Sequence, residues 1–376
     1  MRKIFRWLRE NLFSSWYNAL LTVLSLWLLW VVLSGLWQWA VLDAVWSGGA
    51  TACQQARQLA QSEGRPWGAC WTAIPANIKL LMAGTYPPGE LWRLWVSIYL
   101  GALLLGASAG VWRGLVRETA IAVGAGALVL ALLPFSTIER LWIAGIALAL
   151  FVPMAIFWKA RAFRVIPWGV GVGWLLLPVI VLALIRGFSP WLPRVETTQW
   201  GGLMLTVILA VVGIIASFPL GVLLALGRQS ELPVVRWLSI LYIEVVRGVP
   251  LVTAAYIAEN VRGGLQAIPR GQIEAARALG LHGWLITLFI VLPQALRAVI
   301  PANVGQFISL FKDTSLVFVA ALLDLFNMGR SILANPDWLG FDREILLFIA
   351  FVYFICTYSM AHLSHRLEKI LGVGER

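Results

Sequence analysis

The sequence predicts an all-α polytopic membrane protein. Of its 376 residues, 60% are apolar and only 12% are charged. The mean hydropathy is +0.83. Several apolar runs reach the roughly 20 residues that cross a bilayer as helix. The net charge of +11 does not mark a nucleic-acid binder. The basic residues sit in short loops, where they set topology, and no basic face is interleaved with exposed aromatics. The 21 Trp residues suit interfacial belts, and many must also pack between helices.

Apolar segments run over about 14–41, 94–112, 119–135, 141–158, 166–185, 199–226, 237–252, 253–267, 294–323 and 344–362. The basic start Arg2-Lys3-Ile4-Phe5-Arg6-Trp7-Leu8-Arg9 precedes a long apolar core without a small-residue cleavage site. It reads as a retained first helix. Basic loops recur at Arg113/Arg117, Lys159/Arg161/Arg164, Arg228/Arg236 and the tail His365, Arg366, Lys369 and Arg376. Their alternation with less basic loops predicts both termini in the cytoplasm and residues 42–91 outside. Residues 1–190 then form an N-terminal extension of five scaffold helices. Residues 191–376 hold nearly all the intramembrane charge. The rigid segment Ser189-Pro190-Trp191-Leu192-Pro193 joins them. No internal repeat is visible. In an oxidising external loop, Cys53 and Cys70 can form a disulfide; Cys356 reads as a small packing residue.

Four polar clusters and one connector break the apolar pattern. Glu244 and Arg247 are three residues apart and share a helix face. Counted from Arg236, they lie about 12–17 Å into the membrane. Charges there either line a pathway or lock helices together, and Gly248 and Pro250 interrupt the helix beside them. Glu259 and Arg262 repeat the spacing and read as a packing and coupling element. Ile268-Pro269-x-Gly271-Gln272 orients the connector that follows. Lys312-Asp313-Thr314-Ser315 fits a pathway lining or a subunit brace equally well. The connector is Glu274-Ala275-Ala276-Arg277-Ala278-Leu279-Gly280-Leu281-His282. Ala275 to Leu279 favour helix, Gly280 stands where a C-terminal cap belongs, and Glu274 is expected near the helix start, where the macrodipole favours a carboxylate.

The chemistry that is absent also constrains function. No Gly-x4-Gly-Lys-Ser/Thr phosphate loop is present. His282, His362 and His365 are scattered, so no metal site is expected. No nucleophile, base and carboxylate set is apparent. A pump of this kind needs an energising partner.

Together Glu244-x-x-Arg247-Gly248-x-Pro250, Ala255-Tyr256-x-x-Glu259-x-x-Arg262-Gly263-Gly264, Gln272-x-Glu274-Ala275-Ala276-x-Ala278-Leu279-Gly280 and Lys312-Asp313-Thr314-Ser315-Leu316 resemble the polar amino-acid permeases of ABC importers. The extension, with Cys53 and Gly68-Ala69-Cys70-Trp71, is similar to the M-type permease subunit of general L-amino-acid systems. The resemblance implies N-terminal scaffold helices plus a five-helix type I ABC importer permease core in a bacterial inner membrane. It makes about 268–293 the ATPase docking loop, with Glu274, Ala275, Ala276, Arg277, Gly280 and His282 on it. It implies a heterodimer with a sister permease, two ABC ATPase subunits that carry ATP and Mg, and a periplasmic amino-acid-binding protein. No cofactor is expected on this chain.

One departure stands out. The family has a few dozen more residues between the Arg-Gly-x-Pro-Leu and Ala-Tyr-x-x-Glu motifs. From Arg236 to Arg270 the chain advances 34 residues, which span about 51 Å as helix, whereas two crossings need about 60 Å plus a turn. The segment is therefore a shallow re-entrant hairpin, or residues are missing between Val252 and Thr253. The sequence favours the second, which would leave those two Cα atoms farther apart than bonded neighbours. An ion-coupled secondary transporter would need its own ion site, and often inverted repeats, and would leave the connector unexplained. A non-transporting assembly subunit is the third class, against which the clustered charges argue.

Overall fold

The computed structural model describes residues 11–132, 137–160, 165–188, 192–247 and 253–372. Within these the chain is helical, and seven helices are long and apolar enough to cross a membrane. The basic start Arg2–Arg9, Arg161, Arg164, Ser189-Pro190-Trp191, Gly248, Pro250, Val252 and Arg376 lie outside the described residues, as does the Val252–Thr253 junction on its first side.

Two compact units divide the chain: Met1–Lys79 with Gly329–Ala350, and Leu80–Met328 with Phe351–Arg376. The first unit opens with α1 (Trp16–Trp37), capped by the Ser15 side chain on the Asn18 amide. No residue of α1 is buried, as expected of a helix whose partner is lipid or another chain. After α1 comes α2 (Gly49–Ser62). Cys53 on α2 is bridged to Cys70 with Cα atoms 5.8 Å apart. The buried Glu344 carboxylate accepts the Cys70 amide at 2.8 Å, and Arg57 donates to the Leu339 carbonyl at 3.1 Å. A buried carboxylate holding a backbone amide is a strong, charge-assisted tie between distant parts of the sequence.

The second unit contains α3 (Trp92–Val111), α4 (Leu115–Ala131), α5 (Thr137–Ala160) and α6 (Val165–Arg186). Small residues set their spacing. A β-carbon on Gly106 would sit 2.2 Å from the Leu150 carbonyl oxygen, and one on Gly110 would strike Met154 and Phe157. So α3 lies against α5 almost backbone to backbone, which is how helices associate in lipid.

The core follows in the same unit. It comprises α7 (Gly202–Arg228), α8 (Pro233–Arg247), α9 (Thr253–Gln266), α10 (Arg270–Ala278), α11 (Leu292–Asp313), α12 (Leu325–Leu333) and α13 (Asp342–Leu371), the last two continuing through the first unit's residues. A turn and a π-helical stretch extend α11 backwards into a continuous run, Gly283–Ala320. Helices α7, α11 and α13 are long enough to span. The pair α8 and α9 is not: 15 and 14 residues rise about 22 and 21 Å, against a hydrocarbon core of about 30 Å.

α9 is the packing centre. Ala255, Ile257, Ala258 and Val261 are fully buried and join Ala225, Ile243, Ala276, Ile286, Ala295 and Val299 in one apolar cluster. Two glycines permit the approach. A β-carbon on Gly221 of α7 would meet Ile257 Cγ2 at 2.6 Å, and one on Gly264 of α9 would meet Val299 Cγ1 at 2.5 Å and the Ala295 carbonyl at 2.9 Å. Gly264→Leu should therefore force α9 and α11 apart and destabilise the unit by about 1–3 kcal/mol. Thermal unfolding of the detergent-solubilised protein checks this; an unchanged midpoint would show that the seam is looser than these distances require.

Candidate functional site

The connector singled out in the sequence folds as α10 and its exit. Pro269 stands at the N-cap, and no acidic residue lies in the first turn. The expectation that Glu274 sits at the helix start is corrected: the helix begins at Arg270, which puts Glu274 in the second turn. The C-terminus closes as a Schellman turn. The Leu281 amide donates to the Ala276 carbonyl at 3.2 Å and the Gly280 amide to the Arg277 carbonyl at 2.9 Å. Gly280 has φ +77°, and a β-carbon there would touch nothing. Glycine is required by the left-handed backbone, not by space.

One side of this knob faces inwards and the other faces out. Ala276 is buried, and Ile273, Ile268 and Ile286 pack with it in the α9 cluster. Gln294 on α11 donates to Gln272 at 2.6 Å, tying α10 to the next helix. Outward stand Glu274, Ala275, Arg277, Gly280 and His282, all exposed. With them are three large apolar side chains that the motif reading did not single out as site residues: Leu279, Leu281 and Trp284, of which Leu279 is 81% exposed. All three lie beyond Ala278, so the turn at Gly280 and the short helix after it place them.

The expected Glu259–Arg262 pair is present, and a residue from another helix joins it. Arg228, read above only as a topology residue, is the hub. Its guanidinium lies 3.2 Å from the Glu259 carboxylate and 3.7 Å from that of Glu244. Arg262 makes a forked contact to Glu259, with Nε 3.0 Å from each carboxylate oxygen, and reaches Gln266 at 2.9 Å. Ser239 packs on Gly227 and Glu244 pairs with Arg228, so α8 lies against the last turn of α7. The Arg247 side chain lies outside the described residues. Glu244, Glu259 and Arg262 thus gather at one end of α7.

Lys312 and Asp313 do not join them. They end α11, close in sequence to a second polar cluster at the far end of α7. There the fully buried Asp324 accepts from the Phe326 and Asn327 amides at 3.2 and 3.0 Å, from Asn327 Nδ2 at 2.6 Å and from the Tyr353 hydroxyl at 3.0 Å. Thr206 of α7 accepts the Leu325 amide at 3.0 Å, and Asn327 donates to the Ser315 carbonyl at 2.7 Å. Asp324 caps α12 and is fully satisfied. From Thr206 to Arg228 along α7 is about 33 Å, so the two clusters mark opposite ends of the core. Between them, Asn260 on α9 donates to Asn303 on α11 at 3.1 Å. Among the described residues, no group of His, Cys, Asp and Glu is placed to hold a metal.

Comparison with known proteins places this arrangement in context. The family described as "Binding-protein-dependent transport system inner membrane component" matches residues 203–371. The chain is 36% identical to the inner membrane amino-acid ABC transporter permease protein YhdY of Escherichia coli K12, over 98% of this chain and 93% of that one. It is 35% identical to BztC of Rhodobacter capsulatus, a glutamate/glutamine/aspartate/asparagine transport system permease protein, over 99% and 94%. It is 35% identical to GlnP of Bacillus subtilis, a probable glutamine ABC transporter permease protein, over 45% and 91%. The YhdY alignment runs over 405 positions yet uses 98% of a 376-residue chain, so more than thirty of its positions have no residue here. The GlnP alignment runs over 199 positions on 45% of the chain and has a similar excess. Among the described core helices, α8 and α9 fall short of a full crossing.

Arg228→Ala removes the group that holds Glu244 and Glu259. Because both pairs are partly exposed, the loss should be about 1 kcal/mol, a fall of about 2–4 °C in unfolding midpoint for a unit of this size. Arg228→Lys should recover part of it. Equal midpoints for Ala and wild type would show that Arg228 bears no structural weight.

Proposed function

This chain belongs to the amino-acid ABC transporter permeases, and we propose that it forms one half of the membrane pathway of a polar L-amino-acid importer. It is a transporter subunit of a bacterial inner membrane and not an enzyme. In the proposed assembly it pairs with a sister permease. Two cytoplasmic ATPase subunits bind ATP and Mg, and a periplasmic binding protein delivers the amino acid. Both termini are cytoplasmic in this reading, and the disulfide-bearing part lies outside. Glutamate, glutamine, aspartate and asparagine head the candidate substrates, because the names of BztC and GlnP include them.

The observation that carries the reading is the knob. Its outer face presents Glu274, Arg277, Leu279, Leu281 and Trp284 without cover in this chain. A face of that size combining apolar anchors with charges is suited to a protein partner. Its inner face is rigidly bound to α9 and α11 through Ala276, Gln272 and Gln294. Movement imposed on the knob therefore passes to the α9–α11 seam, and through Glu259 and Arg228 to α7 and α8. That is the mechanical link an ATPase needs to a membrane pathway.

A second reading is favoured by the short pair α8 and α9. A chain with an intact knob but a pair of helices too short to cross would recruit the ATPase without conducting. Reconstitution in liposomes with the sister permease, the ATPase and the binding protein separates the readings. ATP-dependent uptake, with competition across the twenty amino acids, supports the importer. ATPase recruitment without uptake supports the second reading. Uptake driven by an ion gradient without ATP would overturn both. Within that system, Leu279→Asp together with Gly280→Pro should reduce co-purification of the ATPase by at least tenfold while leaving insertion intact. Replacing the Leu279 anchor by a charge and breaking the turn that presents Leu281 costs at least the roughly 1.4 kcal/mol that tenfold represents. Normal co-purification and wild-type uptake by this variant would remove the docking assignment.

A further inference from the structure

The extension holds a charged cluster that the transport reading does not use. α3 ends at Val111, α4 begins at Leu115 and α5 ends at Ala160. The close contact of Gly110 with Trp158 and its neighbours brings these three ends to one level. There two guanidiniums share one indole. The Arg117 Cζ lies 4.0 Å from the Trp158 ring centroid and the Arg113 Cζ 5.2 Å. Arg113 is exposed and Arg117 half-buried. Glu118, the neighbouring carboxylate, is held by Arg366. Among the described residues, neither Arg113 nor Arg117 has a carboxylate within ion-pair distance. Trp112 beside them is exposed, as an aromatic at headgroup depth is.

We propose that Arg113, Arg117 and Trp158 form a binding site for the phosphate of an anionic phospholipid headgroup. Two like charges held on one ring repel each other, so a shared anion relieves the pair. The indole orients both guanidiniums through cation–π contact and leaves their N–H edges free for phosphate oxygens. The level fits as well. Ends of membrane-spanning helices lie at the headgroups, where a basic pocket between helices takes a lipid phosphate. A zwitterionic headgroup carries its own cation and gains less.

The test uses the full-length protein in phosphatidylcholine micelles titrated with dioleoyl-phosphatidylglycerol, with bound lipid counted by native mass spectrometry. Wild type should prefer phosphatidylglycerol, and the preference should fall as salt rises. Arg113→Gln with Arg117→Gln should weaken phosphatidylglycerol binding by about twenty-five-fold, roughly fivefold for each charge near the surface, with phosphatidylcholine retention unchanged. Arg113→Lys with Arg117→Lys should lie between, because charge remains while the stacked planar geometry is lost. No wild-type preference, or full preference in the Gln variant, overturns the site. Inorganic phosphate that displaces the lipid at equal concentration would show a soluble-anion site and overturn the lipid assignment. Should the Gln variant fail to fold, the salt dependence of wild type and the Lys variant still decide.

Discussion

The contact between Arg228 and Glu259 organises the core. Arg228 is the last residue of α7, and Glu259 lies on the one helix packed against both α7 and α11. A carboxylate left alone on a buried helix would be costly, because no water replaces its hydration. Here it is matched by Arg228 from one side and Arg262 from its own helix. Glu244 adds a weaker, more exposed contact to the same Arg228. The triad fixes the height of α9 against α7 and draws α8 against the last turn of α7. The apolar cluster around Ala255, Ile257 and Val261 then fills in the rest.

Given that anchor, the two glycines settle how close the helices come. Gly221 on α7 takes Ile257 of α9, and Gly264 on α9 takes Val299 of α11. Membrane helices gain little from hiding apolar surface, since lipid is equally apolar, so close backbone contact must supply the attraction. The same logic runs through the extension, where Gly106 and Gly110 seat α3 on α5. In the core, close packing has a second consequence. The knob at α10 packs Ala276 into the α9 cluster and is tied to α11 by the Gln272–Gln294 bond.

The short pair α8 and α9 contrasts with the well-made end of the core at Arg228, where the ion triad, the buried α9 face and the knob are all in place. Toward the other end of α7, order comes instead from the buried Asp324, which gathers two amides, an amide side chain and a phenol. Neither centre depends on the other: they lie about 33 Å apart along one helix. The shortness of α8 and α9 therefore leaves both polar centres intact.

Much of this was legible in the residues. Hydropathy located the long helices, because crossing length and composition are local properties of the chain. The knob was legible for a similar reason: helix formers followed by a glycine in the left-handed region describe a structure complete within a dozen residues. The 34 residues from Arg236 to Arg270 already showed that two full crossings could not fit, since helix rise is fixed. Spacing joined Glu259 to Arg262 as i, i+3 neighbours on one helix, and the fold keeps that pair. What spacing could not supply was Arg228, which comes from another helix to lie between Glu244 and Glu259. Asp324 and Glu344 escaped notice as functional elements because each is an ordinary acid near a helix start until its distant partners, Tyr353 and the Cys70 amide, are in place. Local geometry is written in neighbouring residues; burial and ion partnership are decided by which helices touch, and that only the packed structure determines.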